Sequence, residues 1–204
     1  MTTMEIIKLN DYIIEFEPVK HQYTVNDKKV MSVTQLIDVV LGKPYKNVDP
    51  VILQKAADKG TALHDMIERY ERFGEKTPST EFRSYLALKG QHQIDVLESE
   101  KVVVIEAYGV PIAAGRFDMV LKSPYMEGLG IADVKRTLNL NEERLKLQLN
   151  LYKRGYEQTY KKKIKYLKCL HIRNRYFNYV DVLVDPLYTE KMIEKFLIQH
   201  PIKY

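Results

Sequence analysis

The pattern of hydrophobic and polar positions changes near residue 100, from mostly helical periods to alternating, strand-like periods. One strand-like segment comes earlier. Residues 12–31 (YIIEFEPVKHQYTVNDKKVM) hold two runs rich in strand-forming residues, and the NDKK stretch is a turn signal. This segment predicts a hairpin or a small meander near the N-terminus.

Four helices are predicted between this segment and residue 100. Ser32 with Gln35 three positions later forms a capping-box pattern ahead of an apolar run. Asp49 followed by Pro50 suits the start of another helix, since proline is favoured at the first helical position. The predicted helical segments are 32–42, 49–60, 61–74 and 79–99.

The second part of the chain predicts strands around one long helix. Residues 101–121 and 129–137 have the composition of three strands joined by Gly and Pro turns. Residues 141–160 return to a helical period behind the capping residue Asn141. Two closing strands (163–173 and 176–184) and a terminal helix (186–199) follow.

This order of elements predicts an α/β fold, in which a central mixed β-sheet is flanked by helices. A length of 204 residues suits one domain, and no repeat or linker divides it. We therefore expect a single domain over residues 1–204. It comprises an N-terminal hairpin and helical region (1–59) and a core (60–204).

Composition limits the classes of function. The chain is 45% hydrophobic and 29% charged, which is typical of a globular protein, and no apolar run reaches membrane-spanning length. The first residues carry Glu5 and Asp11, so we expect no targeting peptide, and a cytoplasmic location is the default. Cys169 is the only cysteine, which excludes an internal disulfide and an all-cysteine cluster. The net charge of +5 favours a polyanionic partner.

Two acidic residues interrupt apolar runs that predict neighbouring strands. Asp118 lies in RFDMVL and Asp133 in GIADVKRT, and Lys135 shares a face with Asp133 because alternate strand residues point the same way. Two close carboxylates favour a divalent metal between them, and oxygen ligands suit Mg²⁺ or Mn²⁺. The alternative is that both acids cap strand ends and Lys135 forms a surface ion pair.

Two helical segments add candidates. Gln148 and Tyr152 are four residues apart and share a helix face, which allows contacts with phosphate or DNA; the alternative is a solvated Gln148 and a core Tyr152. The small residues Gly60 and Ala62 predict close packing of their helix, with His64 directed inward as a metal ligand or as a structural histidine.

Together these segments form an ordered pattern. GTALH (60–64), AGRFDMV (114–120), ADVKRT (132–137) and QLNLY (148–152) resemble, in this order, the motifs of the PD-(D/E)XK nuclease superfamily, specifically its RecB-like branch of exonucleases. The resemblance implies a restriction-endonuclease-like core. Some branch members hold an iron–sulfur cluster with four cysteines, so this chain resembles the cluster-free members.

The resemblance implies Mg²⁺- or Mn²⁺-dependent hydrolysis of DNA, with no iron–sulfur cluster. His64, Asp118, Asp133 and the Val134 carbonyl would bind the metal, and Lys135 would be the catalytic lysine. The catalytic set also includes Gln148 and Tyr152, which would support the site. Further DNA contacts are expected from Thr137, Tyr152 and Arg154.

The leading hypothesis is an exonuclease that acts on DNA ends in phage or bacterial recombination or repair, in a bacterial or phage-infected cell. A separate recombination or helicase protein is an expected partner, and a membrane is not. The alternatives are a structure-selective or defence endonuclease on the same fold, and a non-catalytic DNA-binding or scaffold subunit. Two secondary candidates are Glu106, as an acid near the site, and Glu68, which would either orient His64 or pair with Arg72.

Overall fold

The computed structural model describes residues 4–45 and 48–202. Within them the chain forms nine strands and five helices. The strands are β1 (Glu5–Leu9), β2 (Tyr12–Glu17), β3 (Gln22–Val25), β4 (Lys28–Ser32), β5 (Asp95–Ala107), β6 (Val110–Lys122), β7 (Leu129–Lys135), β8 (Ile164–Arg173) and β9 (Tyr176–Val182). The helices are α1 (Val33–Leu41), α2 (Pro50–Phe73), α3 (Thr80–Gln91), α4 (Glu142–Tyr160) and α5 (Pro186–Gln199).

The described strands form one mixed sheet, which confirms the predicted α/β fold class. Strands β1 to β4 form an antiparallel meander, and β4 joins the rest of the sheet by a short parallel pairing with β6. Strand β6 is antiparallel to β5 and β7, β7 is parallel to β8, and β9 closes the far edge antiparallel to β8. The parallel β7–β8 pair is connected through α4, as parallel neighbours need a long crossover.

The helices cover both faces of the sheet. Buried side chains of α1, α4 and α5 form one hydrophobic cluster with the sheet, and those of α2 and α3 form another on a different set of strand residues. A third cluster joins the meander to β5 and β6. The site described below lies where these layers meet.

Several predicted helix starts are confirmed by their hydrogen bonds. The Ser32 hydroxyl accepts from the Gln35 N–H at 3.2 Å, and the Ser32 N–H donates to the Gln35 side chain at 2.8 Å, which completes the capping box. The Asp49 carboxylate accepts from the Val51 N–H at 2.7 Å. Because these bonds satisfy first-turn N–H groups, the helices begin where the sequence predicts.

Two predicted boundaries are wrong, and one strand was missed. The predicted helix 79–99 ends at Gln91, and β5 begins at Asp95. Strand β1 was not predicted. Helix α2 runs without a break through Gly60, so the division between regions 1–59 and 60–204 falls inside a helix. Residues 1–3, 46–47 and 203–204 of the predicted domain lie outside the described residues.

Candidate active site

A groove opens where β6 changes its strand partner. On one edge β6 pairs with β4 at residues 113–114 and with β7 at residues 119–121, and no pairing with either strand spans the residues between. Ligand sites of α/β sheets commonly lie where the strand order changes. The groove has a volume of about 730 Å³. Its lining includes Phe16, His21, Tyr23, Ser32, Val33, Thr34, Gly60, Thr61, His64, Asp65, Glu68, Glu100, Gly115, Arg116, Asp118, Lys135 and Tyr152.

Asp118 lies at the floor of this groove. One carboxylate oxygen is 3.0 Å from His64 Nδ1, and the other accepts the Val134 N–H at 2.5 Å. Burial raises the pKa of Asp118, but His64, Lys135 and the Val134 N–H outweigh it and hold the pKa below its usual value. Asp118 is therefore an ionised carboxylate fixed from two sides.

Asp133 and Lys135 lie beside Asp118, as predicted from the strand pattern. The Lys135 ammonium is 2.6 Å from Asp133 Oδ2, and this buried oxygen has no directed hydrogen bond from the described residues. Burial raises the pKa of Asp133 despite the nearby lysine. Burial lowers the pKa of Lys135, but the two aspartates outweigh burial and raise the pKa above its usual value. The lysine is therefore held as a cation.

Helix α4 positions Gln148 and Tyr152 behind this pair. The Gln148 amide donates to Asp133 Oδ1 at 3.3 Å and contacts the Tyr152 hydroxyl at 3.5 Å. Gly115 makes room for the tyrosine ring, since a Cβ there would lie 3.1 Å from Tyr152 Cε1. Tyr152 is 4% exposed, so its ring face is not free for a base. This favours the core alternative for the ring, whose hydroxyl contacts Gln148.

His64 reaches Asp118 from helix α2, on the opposite side of the groove. Burial lowers the pKa of His64, but Asp118 outweighs this and raises it to about 9. Glu68, one turn away, forms an ion pair with Arg72 at 2.5 Å and also lines the groove. The predicted close packing at Gly60 is wrong, because a Cβ there would have no atom within 4 Å, and Ala62 is exposed.

Glu100 is a groove residue that the sequence analysis missed. It lies between Ser99 and Lys101 of β5, which pair with Met119 and Phe117 on either side of Asp118. Its φ of 52° is uncommon for a residue other than glycine. Burial raises the pKa of Glu100 to about 7, with Asp118 and Glu68 adding to the shift. Glu100 lies between the predicted helix 79–99 and the predicted strand segment 101–121, and no pattern in the sequence indicates its role.

The groove lining carries more acidic than basic groups. Asp65, Glu68, Glu100 and Asp118 are its carboxylates, whereas Arg116 and Lys135 are its permanent cations. His64, held as a cation by its pKa of about 9, offsets one of these carboxylates. A phosphate in the groove would still lie among the remaining carboxylates, and a divalent ion would reduce their repulsion of it.

The donor atoms suit such an ion. Two ligands at right angles with bonds of about 2.1 Å lie about 3 Å apart, and the hydrogen-bonded His64 Nδ1 and Asp118 Oδ1 are 3.0 Å apart. An ion bound between them would replace the proton of this hydrogen bond. The Val134 carbonyl points to the same edge as its N–H, which reaches Asp118. In residues 4–45 and 48–202, no three His, Cys, Asp or Glu side chains are already gathered as a metal-binding group. The third donor, Asp133, is engaged by Lys135 instead.

Two predicted DNA contacts lie away from this groove. The Arg154 guanidinium donates to the Glu106 carbonyl at 3.0 Å and forms an ion pair with Glu190, and its side chain lines a separate cavity. Glu106 itself accepts from the Tyr12 hydroxyl at 2.5 Å rather than facing the groove. Thr137 lines another cavity, where its carbonyl oxygen is 2.7 Å from His171 Nε2. Neither Arg154 nor Thr137 therefore lines this groove, and their DNA contacts stay predictions.

Comparisons with known proteins identify no family. No protein-family model matches this chain, and no curated protein matches it. Among solved structures, the crystal structure of SSO0001 aligns with 83% of this chain and 75% of its own chain, at 16% identity and a TM-score of 0.46. Within the described residues, no helix is long and apolar enough to cross a membrane. The functional proposal therefore depends on the groove itself.

Proposed function

We propose that this protein is an Mg²⁺- or Mn²⁺-dependent deoxyribonuclease of the PD-(D/E)XK superfamily, in its cluster-free RecB-like branch, and that it removes nucleotides from DNA ends. The observation that carries the proposal is the convergence of His64, Asp118 and Lys135 in one groove, with Asp133 paired to Lys135 at 2.6 Å, although these residues come from a helix and two strands. These are the positions that the motif resemblance assigns to metal binding and catalysis.

Each residue has a role that its contacts support. His64, Asp118, Asp133 and the Val134 carbonyl would hold the divalent ion. When bound, the ion supplies activation of water and neutralisation of phosphate charge. Lys135 supplies a fixed positive charge beside the reacting phosphate, which stabilises charge that develops in the transition state. Gln148 holds Asp133 in place through its 3.3 Å contact.

The first turn of α1 provides a further feature suited to phosphate. Ser32, Val33 and Thr34 line the groove at the N-terminus of this helix. Helix N-termini favour anions because their N–H groups and the helix dipole both point outward there. A backbone phosphate in the groove would thus meet positive potential from α1 on one side and Lys135 on another.

Digestion of linear and covalently closed circular DNA by the purified protein, with Mg²⁺, tests the proposal. An exonuclease degrades linear DNA and leaves circles intact, whereas an endonuclease also nicks circles. A scaffold or DNA-binding subunit cuts neither, and that result would overturn the proposed activity. The parallel assay with Asp118→Asn identifies cleavage that comes from this groove rather than from a contaminant.

The cellular setting that we propose follows from the activity. DNA with free ends is the substrate, in phage or bacterial recombination or repair. A helicase or recombination partner would be a separate chain. The location would be the cytoplasm of a bacterial or phage-infected cell.

A further inference from the structure

Aromatic side chains of the N-terminal meander form one side of the groove. Phe16 of β2 and Tyr23 of β3 are cross-strand partners, and their rings stack with centroids 4.6 Å apart. His21, in the turn between these strands, meets the Phe16 ring edge-on at 5.4 Å. All three line the same groove as His64, Asp118 and Lys135.

The three rings differ in accessibility. Tyr23 is 2% exposed, so it serves as the base of the cluster. Phe16 is half-buried and His21 is exposed, although His21 lies in a turn with a φ of 48° that non-glycine residues rarely adopt. The turn therefore holds an exposed aromatic ring at the edge of the groove, where it also packs edge-on against Phe16 and Tyr23.

Arg116 links this cluster to the carboxylates. Its guanidinium lies 5.8 Å from the centroid of the Phe16 ring and pairs with Glu5 at 2.6 Å, while its buried Nε has no hydrogen-bond partner in the described residues. Arg116 and Asp118 are alternate residues of β6, so they share a face about 7 Å apart along the strand. The aromatic cluster thus contacts Arg116, which lies beside Asp118 on the same face of β6.

We propose that His21 and Phe16, supported by Tyr23 and Arg116, form a stacking platform for unpaired bases, and that the substrate of this groove is a single-stranded DNA end. This inference rests on the proposed function and names its substrate. Aromatic rings beside a backbone-binding site are the means by which proteins hold single strands without reading their sequence. Bases inside a duplex have both faces covered, and a blunt end offers only the outer face of its last pair, whereas every base of a single strand has a free face for this platform.

A cycle of protein and DNA changes tests the platform. His21→Asn removes the ring, and asparagine tolerates the left-handed backbone of the turn. The DNA change is a short single-stranded oligodeoxynucleotide with abasic positions at its end, which keeps the phosphates and removes the bases. Affinities are measured for both proteins and both oligonucleotides in Ca²⁺, which prevents cleavage.

The wild-type protein should bind the base-bearing end about 5- to 150-fold more tightly than the abasic end. His21→Asn should lose most of this preference. The matched control is Tyr108→Asn, because Tyr108 is a 77% exposed aromatic residue in another turn, with a φ of 52°, and lies outside the groove. That variant should retain the full preference. An unchanged preference in His21→Asn would overturn the platform.

A second variant tests the platform without removing a ring, in case the His21→Asn protein does not fold. The chain contains no tryptophan, so Phe16→Trp would introduce one fluorescent reporter while preserving an aromatic surface. Its emission should be quenched much more strongly by the single strand than by a blunt duplex of equal length, whose free base faces lie only at its two ends. Equal quenching by the duplex would contradict the single-strand assignment. Failure to bind any DNA, with the melting temperature unchanged, would instead count against the proposed function.

Discussion

The two walls of the groove are built in different ways. The inner wall consists of Lys135 on β7 and Tyr152 on α4, supported from behind by Asp133 and Gln148. The outer wall consists of helix α2 around His64 and the meander around His21. Helix α4 buries nine of its 19 residues, whereas the 24-residue α2 buries only Leu63 and Ile67 among its described side chains.

This difference separates two tasks. Catalytic groups must be held within a fraction of an ångström of a productive arrangement, and a packed wall provides that. A substrate-binding surface tolerates small displacements, because stacking and charge are less directional. We therefore expect changes in the inner wall to remove the chemistry or the fold, and changes in the outer wall, apart from those at the proposed metal ligand His64, to alter substrate binding alone.

The largest expected effect is at the floor that both walls share. Asp118→Asn keeps the size of the side chain but removes the charge that faces His64 and the proposed metal ion. Cleavage should fall below detection, while circular dichroism and the melting temperature show a folded protein. The matched control is Asp181→Asn, an exposed strand aspartate paired with Lys168, which should cut normally. Near-normal cleavage by Asp118→Asn would refute the site.

Lys135→Ala tests the charge of the inner wall. The single-turnover rate at saturating DNA should drop about 10²- to 10³-fold, because the lost charge acts on the transition state. DNA affinity should change little. Lys168→Ala on the neighbouring strand removes a similar ion pair outside the groove and should keep the rate. If Lys135→Ala weakened only DNA binding and left the saturated rate intact, the catalytic role would be wrong.

The position of these groups could be predicted from sequence because each depends on a local period. Alternation along β7 places Asp133 and Lys135 on one face, and helical spacing places Gln148 and Tyr152 on one face. Capping signals at Ser32 and Asp49 likewise depend on residues within one turn. These features need no knowledge of distant contacts.

The outer wall could not be predicted in this way. Glu100 faces Asp118 only through the long β5–β6 pairing, and His21 reaches the groove only because β4 joins β6. The contacts of Arg154 could not be predicted for the same reason. Its position on α4 is as predicted, but its side chain contacts β5 and α5. Tertiary contacts of high sequence separation decide these cases.

Two substitutions of Tyr152 separate the role of its buried ring from that of its hydroxyl. Tyr152→Ala should lower the free energy of unfolding by about 3–5 kcal/mol, as expected when a large buried ring is removed. Tyr152→Phe keeps the ring and removes only the hydroxyl near Gln148. Urea unfolding of both variants measures the ring, and DNA affinity in Ca²⁺ measures the hydroxyl. A stable Tyr152→Ala protein with weak DNA binding would restore the stacking role that burial disfavours.

Alanine substitutions at two helical glycines test how tightly each wall is packed. A Cβ at Gly155 on α4 would lie 3.0 Å from Val103 Cβ and 3.2 Å from the Val104 carbonyl oxygen, whereas one at Gly60 on α2 would meet nothing within 4 Å. Gly155→Ala should therefore destabilise the protein by about 1–3 kcal/mol. Gly60→Ala should stabilise it by about 0.5–1 kcal/mol through helix propensity. Changes of the same sign would show that the walls are packed alike.

The smallest expected effect concerns Glu81, whose ion pair holds the end of the strand that carries Lys135. Glu81 on α3 pairs with Arg136, the residue after Lys135, at 2.8 Å, and its carboxylate also accepts the Asn174 N–H at 2.9 Å. Burial raises the pKa of Glu81, but these two partners outweigh it and hold the pKa below its usual 4.5.

Glu81→Gln should therefore lower the free energy of unfolding by about 1 kcal/mol at neutral pH. A carboxylate with a lowered folded-state pKa contributes its stabilisation above the unfolded-state pKa of 4.5 and loses it as the pH falls through the folded-state value. The difference between wild type and Glu81→Gln should thus be constant from pH 7 to about 5 and shrink at lower pH. Urea unfolding of both proteins across this range measures it. A difference that persists undiminished below the folded-state pKa would mean that the ionised carboxylate is not what anchors Arg136.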